Sequence, residues 1–484
     1  MTEAEPTRVT SGVEGLDRVL RGGLLAGRSY VVSARAGAGK TLLALSFLDA
    51  ADADETTLFV NLEEDVEDLR SNAAAVGIDT SDVVVCDLSP RADVFTEEGT
   101  YDVFAPDEVE GGSFRAEVRE TVERVDPDRV VVDPITQLHY LTPDDHQFRQ
   151  QVLGLSRFLT ERDATVVFTA QASADLPVDD LQFVTDGLIE LDPSGPVETV
   201  SVPKFRGSGS LSGEHAYRID ETGVSVFPAL QPGERTVETD LEQLSSGVAE
   251  LDTMIGGGVE RGTITVLSGP TGAGKTTLAT QFAAAAAERG ERTVVYLFEE
   301  RWPSFRERSE AIGIPVTEMV EAGTLEVVEI EPLRYGPQEF ASLVREQVEG
   351  NDTDFVVVDG VAGYRLTLEG QEDRLTRRLH ALGRYLANAG VTTFLTDETQ
   401  SVVGDFTATG SGVSYLADNV VFLRHVELDG ELRKVAGVLK KRTSGFERTL
   451  REFEIGADGV ALGEPLRGLR GVVSGVPESA DTDG

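Results

Sequence analysis

An α/β fold is predicted, in two tandem copies, each a mostly parallel β-sheet flanked by helices. Three observations predict it. The stretch Gly269-Pro270-Thr271-Gly272-Ala273-Gly274-Lys275-Thr276 fits the phosphate-loop pattern G-x-x-x-x-G-K-[ST] at every fixed position. A β-branched run, Thr263–Leu267, precedes it, and an apolar-periodic segment opening at Thr277 follows it, so a strand enters the loop and a helix leaves it. The same frame occurs a second time, about 235 residues earlier in the chain.

The repeat is detailed. Ser11-Gly12-Val13-Glu14-Gly15-Leu16-Asp17 and a Gly22-Gly23 turn return as Ser246-Gly247-Val248-Ala249-Glu250-Leu251-Asp252 and Gly256-Gly257-Gly258. Lys40 and Lys275 are 235 apart, while Glu63-Glu64 and Glu299-Glu300 are 236 apart. The apolar strands ending in Asp133 and Asp359 recur, as do strands at Thr165–Thr169 and Thr392–Thr396, then Gly187–Leu191 and Val420–Leu423. Each copy closes on a hairpin holding Lys204-Phe205-Arg206 or Lys440-Lys441-Arg442. Apolar strands alternating with helix-period segments make a parallel sheet covered on both faces, with its ligand at the carboxyl ends of the strands. The expected domains are 1–232 and 233–477, joined through the Pro/Gly-containing stretch 227–235, with a disordered acidic tail at 478–484.

Composition narrows the function. The 484 residues carry a formal net charge of −42, which opposes a generally nucleic-acid-binding surface. Six lysines stand against 37 arginines, and an acidic, lysine-poor surface suits a halophilic protein working in concentrated salt, where screening relieves self-repulsion. The lysines that remain fall mostly in motif positions. The one cysteine, Cys86, excludes an intrachain disulfide, and no Cys/His cluster suggests zinc. With no signal peptide and no apolar run of membrane-spanning length, a cytoplasmic protein with no membrane partner is expected.

The chemistry expected is nucleotide binding with Mg²⁺. Glycines let the loop backbone aim successive N–H groups at phosphate oxygens at a helix N-terminus. In the second copy the binding residues are Gly269, Thr271, Gly272, Ala273, Gly274, Lys275, Thr276 and Thr277; in the first they are Gly37, Ala38, Gly39, Lys40, Thr41 and Leu42. The lysines reach the β- and γ-phosphates, and Thr41 with Asp133, and Thr276 with Asp359, are the magnesium residues. Glu63/Glu64 and Glu299/Glu300 are candidates to orient the attacking water. The first loop reads Ala34-Arg35-Ala36-Gly37-Ala38-Gly39-Lys40-Thr41, with Ala34 in the place of the first glycine. If that place requires positive φ, the extra Cβ costs on the order of 1 kcal/mol and makes hydrolysis in this copy less certain than binding. Gln171 in the first copy corresponds to Glu398 in the second; the former suits a γ-phosphate sensor, the latter has to pair with a cation or face away. Lys204 and Arg206, like Lys440 and Arg442, are two apart on strands and share a face, either solvated or turned towards a neighbouring subunit's nucleotide.

These motifs resemble the KaiC-type branch of the RecA superfamily: Ser-Gly-Val-x-x-Leu-Asp before a Gly-Gly turn, the phosphate loop, the paired glutamates, and Lys-x-Arg before Gly207-Ser208 or Thr443-Ser444. The resemblance spans roughly residues 8–228 and 243–477, almost the whole chain. It implies two RecA-like ATPase domains in a homo-oligomeric ring, a hexamer, with ATP and Mg²⁺ at subunit interfaces. Glu63, Glu64, Glu299 and Glu300 would be catalytic, with Lys204/Arg206 and Lys440/Arg442 supplied in trans. The family also implies autophosphorylation in the second domain. There Ser414 is retained as a candidate phosphosite, but Tyr415 stands where the family has threonine and Ala417 replaces another hydroxyl, which places a two-site cycle in doubt. The expectation is a Mg-ATP-hydrolysing regulatory or signalling switch serving an unidentified protein partner. The alternative is a RecA/RadA-like DNA-dependent ATPase of recombination or repair, which would need a locally basic pore. A third is a scaffold in which ATP joins subunits without turnover, with the first copy the better candidate.

Overall fold

The computed structural model describes the chain except for residues 1–5, 90–105, 141, 143, 173–177, 232–236, 238–241, 369–374, 400–412, 429, 458, 468, 471–477 and 480–484. It divides into two compact units, Met1–Ala229 and Leu230–Gly484. The expected joint and acidic tail lie partly outside the described residues; Glu478–Ser479, where that tail begins, pairs antiparallel with Leu469–Arg470.

Each unit is built on a nine-stranded sheet. In the first its strands are β1 (Ser29–Ala34), β2 (Thr57–Asn61), β3 (Val84–Asp87), β4 (Arg129–Asp133), β5 (Thr165–Gln171), β6 (Gly187–Asp192), β7 (Thr199–Phe205), β8 (His215–Asp220) and β9 (Gly223–Phe227). In the second they are β10 (Ile264–Gly269), β11 (Thr293–Leu297), β12 (Leu325–Glu329), β13 (Phe355–Asp359), β14 (Thr392–Glu398), β15 (Asn419–Leu428), β16 (Glu431–Lys441), β17 (Arg451–Gly456) and β18 (Gly459–Pro465). The order across the first sheet is 9-8-7-6-1-5-4-2-3, and the second repeats it strand for strand. Six strands of each are parallel, and three form the antiparallel margin. The sheet is therefore wider than the five strands and closing hairpin read from the repeat, with an added parallel edge strand and a second antiparallel pair.

Alternating side chains explain why the central strands are apolar throughout. In β1, Tyr30 and Val32 enter one hydrophobic cluster and Val31 the other. In β13, Val357 packs on one face, Val356 and Val358 on the other. Both faces are covered by helices, which a parallel sheet requires. Burying each such Val, Leu or Phe contributes roughly 1.5–3 kcal/mol, so the two sandwiches, rather than surface charge pairs, hold the frame.

The recurring Ser-Gly-Val-x-x-Leu-Asp segment serves this frame. Asp17 accepts hydrogen bonds from Ser11 N at 2.7 Å and Thr10 Oγ1 at 2.5 Å, and Asp252 accepts from Ser246 N at 2.8 Å. Gly12 has φ +78°, and a Cβ there would lie 2.0 Å from the Ser46 carbonyl, so only glycine fits. Cys86 is buried on β3. Among the described residues, no helix is long and apolar enough to cross a membrane.

Candidate functional site

Phosphate loops join β1 to α1 (Lys40–Asp49) and β10 to α2 (Lys275–Glu288). In both, the residue before the helix is a glycine in the left-handed region, Gly39 at φ +85° and Gly274 at φ +108°. Added Cβ atoms there would meet Ile219 at 2.0 Å and Phe453 at 2.8 Å, both well inside contact distance. Gly37 and Gly272 also have positive φ, but nothing lies within 4 Å of a Cβ on either, so these two face open space. Backbone conformation and clearance together form an anion cradle of the kind the motif requires.

Ala34 is not strained. It is the last residue of extended β1, pairs with Leu191, and is buried. Gly269, its counterpart, is also extended; a Cβ there would stand 2.4 Å from the Leu423 carbonyl. The glycine of the second copy answers a close neighbouring strand, so the expected φ penalty in the first copy does not apply.

The acidic residues gather where strand order places them. β4 and β13 lie one strand away from the phosphate-loop strand, across β5 or β14. Thr41 Oγ1 donates to Asp133 Oδ2 at 2.8 Å, and Thr169 donates to the other oxygen of Asp133. Thr276 Oγ1 lies 2.9 and 3.0 Å from the two Asp359 oxygens, and Thr396 Oγ1 donates to Asp359 Oδ1 at 2.8 Å. Burial pushes both aspartates above the usual carboxylate range, against the threonine hydrogen bonds and the nearby Lys40 or Lys275. A buried, hydroxyl-bonded carboxylate is a hard oxygen donor. Among the described residues no three His, Cys, Asp or Glu side chains cluster as a protein-made metal cage. A Thr–Asp pair fits Mg²⁺, which keeps waters and takes its remaining oxygens from phosphates.

Lys40 Nζ donates to the Arg35 carbonyl at 3.0 Å, and Lys275 Nζ to the Gly269 and Pro270 carbonyls at 2.9 and 3.0 Å. Burial lowers both pKa values, opposed by Asp133 and Glu63 in one case and by Glu398, Glu299 and Asp359 in the other. Glu398 thus acts on Lys275 through its charge, while Lys275 Nζ itself is engaged by the two loop carbonyls. In the first unit a cavity of about 490 Å³ is lined by Gly37, Gly39, Lys40, Thr41, Leu42, Glu63, Glu64, Asp133 and Gln171. The sequence-selected residues of that copy, Ala38 and the hairpin cations apart, therefore surround one space.

The glutamate pairs follow β2 and β11. Glu299 is raised by burial and then by Asp359 and Glu398. Its side chain occupies the place a Cβ on Gly360 would need, 2.9 Å away, and Gly360 has φ +106°. Glu64 is raised by burial, with Asp133, Glu63 and Asp68 adding to the effect. Glu300 is also raised by burial, but Arg308 opposes it through an ion pair. Arg308 was not selected from the sequence. A self-alignment residue by residue would have shown it opposite Asn72.

Lys204, Arg206, Lys440 and Arg442 do not join their own unit's site. Lys204 pairs with Leu188, level with Val31, three residues before the loop leaves β1. Lys440 pairs with Val420, level with Val266, three residues before Gly269. That is ~10 Å back along the strands. Lys204 Nζ donates to the Thr185 carbonyl at 2.6 Å, and Lys440 Nζ to the carbonyls of Ser414 and Ala417 at 3.0 and 2.6 Å. Arg206 and Arg442 lie just past their strands, and Arg442 pairs with Asp418 at 3.0 Å. Ser414 sits in the single helical turn Val413–Tyr415.

A profile of the KaiC ATPase family matches residues 9–231 and again 244–467. Similar proteins include the circadian clock oscillator protein KaiC of Thermosynechococcus vestitus, 26% identical over 498 residues covering 100% of this chain and 94% of the relative. KaiC of Parasynechococcus marenigrum is 26% identical, covering 100% and 95%, and KaiC 1 of Synechocystis is 26% identical, covering 98% and 93%. With both repeats matched, each on a two-faced sheet carrying its own phosphate loop and Thr–Asp pair, the chain belongs to the KaiC family of ATPases, as a duplicated, RecA-like P-loop protein.

Proposed function

We propose that the chain is a Mg-ATP-hydrolysing oligomeric switch, with two nucleotide sites per subunit. The observation that carries this is the convergence, in both copies, of phosphate loop, Thr–Asp pair and paired glutamates at the carboxyl ends of the parallel strands. Thr41 with Asp133, and Thr276 with Asp359, would hold Mg²⁺, which when bound neutralises charge on the phosphates. Loop N–H groups and Lys40 or Lys275 bind and orient the triphosphate. Glu299, and in the first copy Glu63 or Glu64, aligns a water and takes its proton during attack on the terminal phosphorus. Gln171, which lines the cavity of the first copy, would sense that phosphate.

The hairpin cations support an assembled ring, six-membered as the family resemblance implies. Lys204/Arg206 and Lys440/Arg442 lie towards the other end of the strands from their own loops, so a nucleotide they reach belongs to another subunit. Single R442A and E299Q variants are each expected to lose second-site turnover, and mixing the two before assembly is expected to restore part of it. Activity that R442A leaves intact would remove the trans role. Ser414 is a candidate acceptor for phosphate because it is retained where the family resemblance implies one; Lys440 donates to its carbonyl.

The test is incubation of the full chain in high salt with Mg²⁺ and γ-labelled ATP, counting free phosphate and protein-bound label separately, with and without single-stranded DNA. Free phosphate indifferent to DNA is expected. Label on the protein that disappears in S414A would make it an autokinase. Strong stimulation by DNA would overturn the switch in favour of a DNA-dependent ATPase.

A further inference from the structure

The two sites differ in one set of side chains that no shared motif explains. In the second unit Arg308, on the helix Trp302–Ala311, forms an ion pair with Glu300 and donates to Thr277 Oγ1 at 3.0 Å. Its guanidinium also lies over the Phe305 ring at 5.6 Å and acts on the buried Asp359. The corresponding residues of the first unit are Asn72, Glu64 and Leu42, and all three line its cavity. A carboxylate–guanidinium–hydroxyl set has thus replaced a set with no cation, and Thr277 is the residue immediately after the magnesium threonine. An arginine there carries a planar donor fork suited to phosphate oxygens and keeps its charge at any physiological pH.

We propose that Arg308 is a phosphate-binding residue of the second site, supplied from within the chain, and that ATP entry transfers its guanidinium from Glu300 to the nucleotide's phosphate chain. This rests on the nucleotide-binding reading above. The pair is partly accessible, with Arg308 35% and Glu300 25% exposed, so the guanidinium can exchange partners without being drawn from a closed core. Glu300 is then a holding group for Arg308, whereas Glu299, which forms no such ion pair with an arginine, is the acid left to align the water. The first site lacks this device, so its affinity does not depend on breaking an internal ion pair.

A double-mutant cycle in the full chain tests it, with K40A silencing the first site and ATP dissociation constants measured by calorimetry. R308N is expected to weaken ATP binding about tenfold, the scale of one charge-assisted hydrogen bond. R308K is expected to recover part of that loss. E300Q, which frees Arg308, is expected to tighten binding, and R308N is expected to weaken it still when combined with E300Q. If Arg308 merely neutralised Glu300, its loss would be harmless once Glu300 is Gln, and that result would overturn the proposal. Binding by the K40A parent that R308N leaves unchanged would overturn it alone. No ATP binding by the wild type at all would overturn the proposed function with it.

Discussion

Glu299→Gln is expected to slow phosphate release at the second site by about two to three orders of magnitude while leaving ATP affinity within about twofold. The carboxylate is raised by its burial, and the negative charges of Asp359 and Glu398 raise it further. A glutamate whose pKa is raised is a stronger base than an ordinary one, and Gln keeps its shape while replacing the basic carboxylate with a non-basic amide. Gly360 holds the side chain in place, because its positive φ and missing Cβ clear the space Glu299 fills. The pH dependence follows. The working form is the ionised one, so activity is present above the raised pKa and falls as pH drops through it, at higher pH than for an ordinary glutamate. Glu300→Gln is expected to cost far less turnover, since its partner is Arg308. The measurement is single-turnover release of labelled phosphate in the K40A background from pH 5.5 to 8.5. Equal loss from both variants would mean that the two acids share the role, and no loss from Glu299→Gln would end its assignment as base.

Much of this site was legible in the sequence because it is carried by backbone-determined features. A phosphate loop needs glycine at Gly39 and Gly274, and a strand-end aspartate needs only the strand, so both are visible as spacing. The duplication doubled the signal, since Glu63-Glu64 and Glu299-Glu300 are unremarkable in so acidic a chain until they recur. What was not legible depended on three-dimensional neighbours. The requirement for glycine at Gly269 comes from the Leu423 carbonyl on β15, more than 150 residues away, whereas Ala34 stands in the same place of the first copy as an extended, buried strand residue. Arg308 was missed for a related reason. It lies nine residues beyond Glu299, in a segment rich in arginine and glutamate, where one more charge reads as a solvated helix face. The edge strands β3 and β12 and the margin β8–β9 and β17–β18 are short and half-exposed, so their apolar patterning is weak.

Replacing Lys441 with Met is expected to destabilise the second unit by about 3 kcal/mol. Lys441 is adjacent to Lys440 on β16, and the pleat sends it the other way. Its side chain is 1% exposed, its Nζ lies 3.2 Å from Glu260 Oε1, and Glu260 is 3% exposed. It also donates to the carbonyls of Ile255 and Gly258, both at 2.6 Å, closing the glycine turn that precedes the phosphate-loop strand. Methionine matches the stem's volume but leaves the Glu260 charge buried without its cation. Burial by itself pushes Glu260 upward, yet hydrogen bonds from Thr443 and Lys441 and the charge of Lys441 hold it below the usual glutamate value. A carboxyl depressed in the folded state contributes stability that is present above its unfolded pKa and is lost as pH falls through the folded one. Without Lys441 burial dominates and the sign reverses, so Lys441→Met is expected to be nearer the parent at pH 5 than at pH 7. Glu260→Gln combined with Lys441→Met is expected to recover most of the loss at pH 7, because no buried charge then remains. Chemical denaturation of the full chain at the two pH values reads both effects. A loss below about 1 kcal/mol in the single variant, or a double variant no better than it, would show that Glu260 is hydrated and that the pair does not hold the turn.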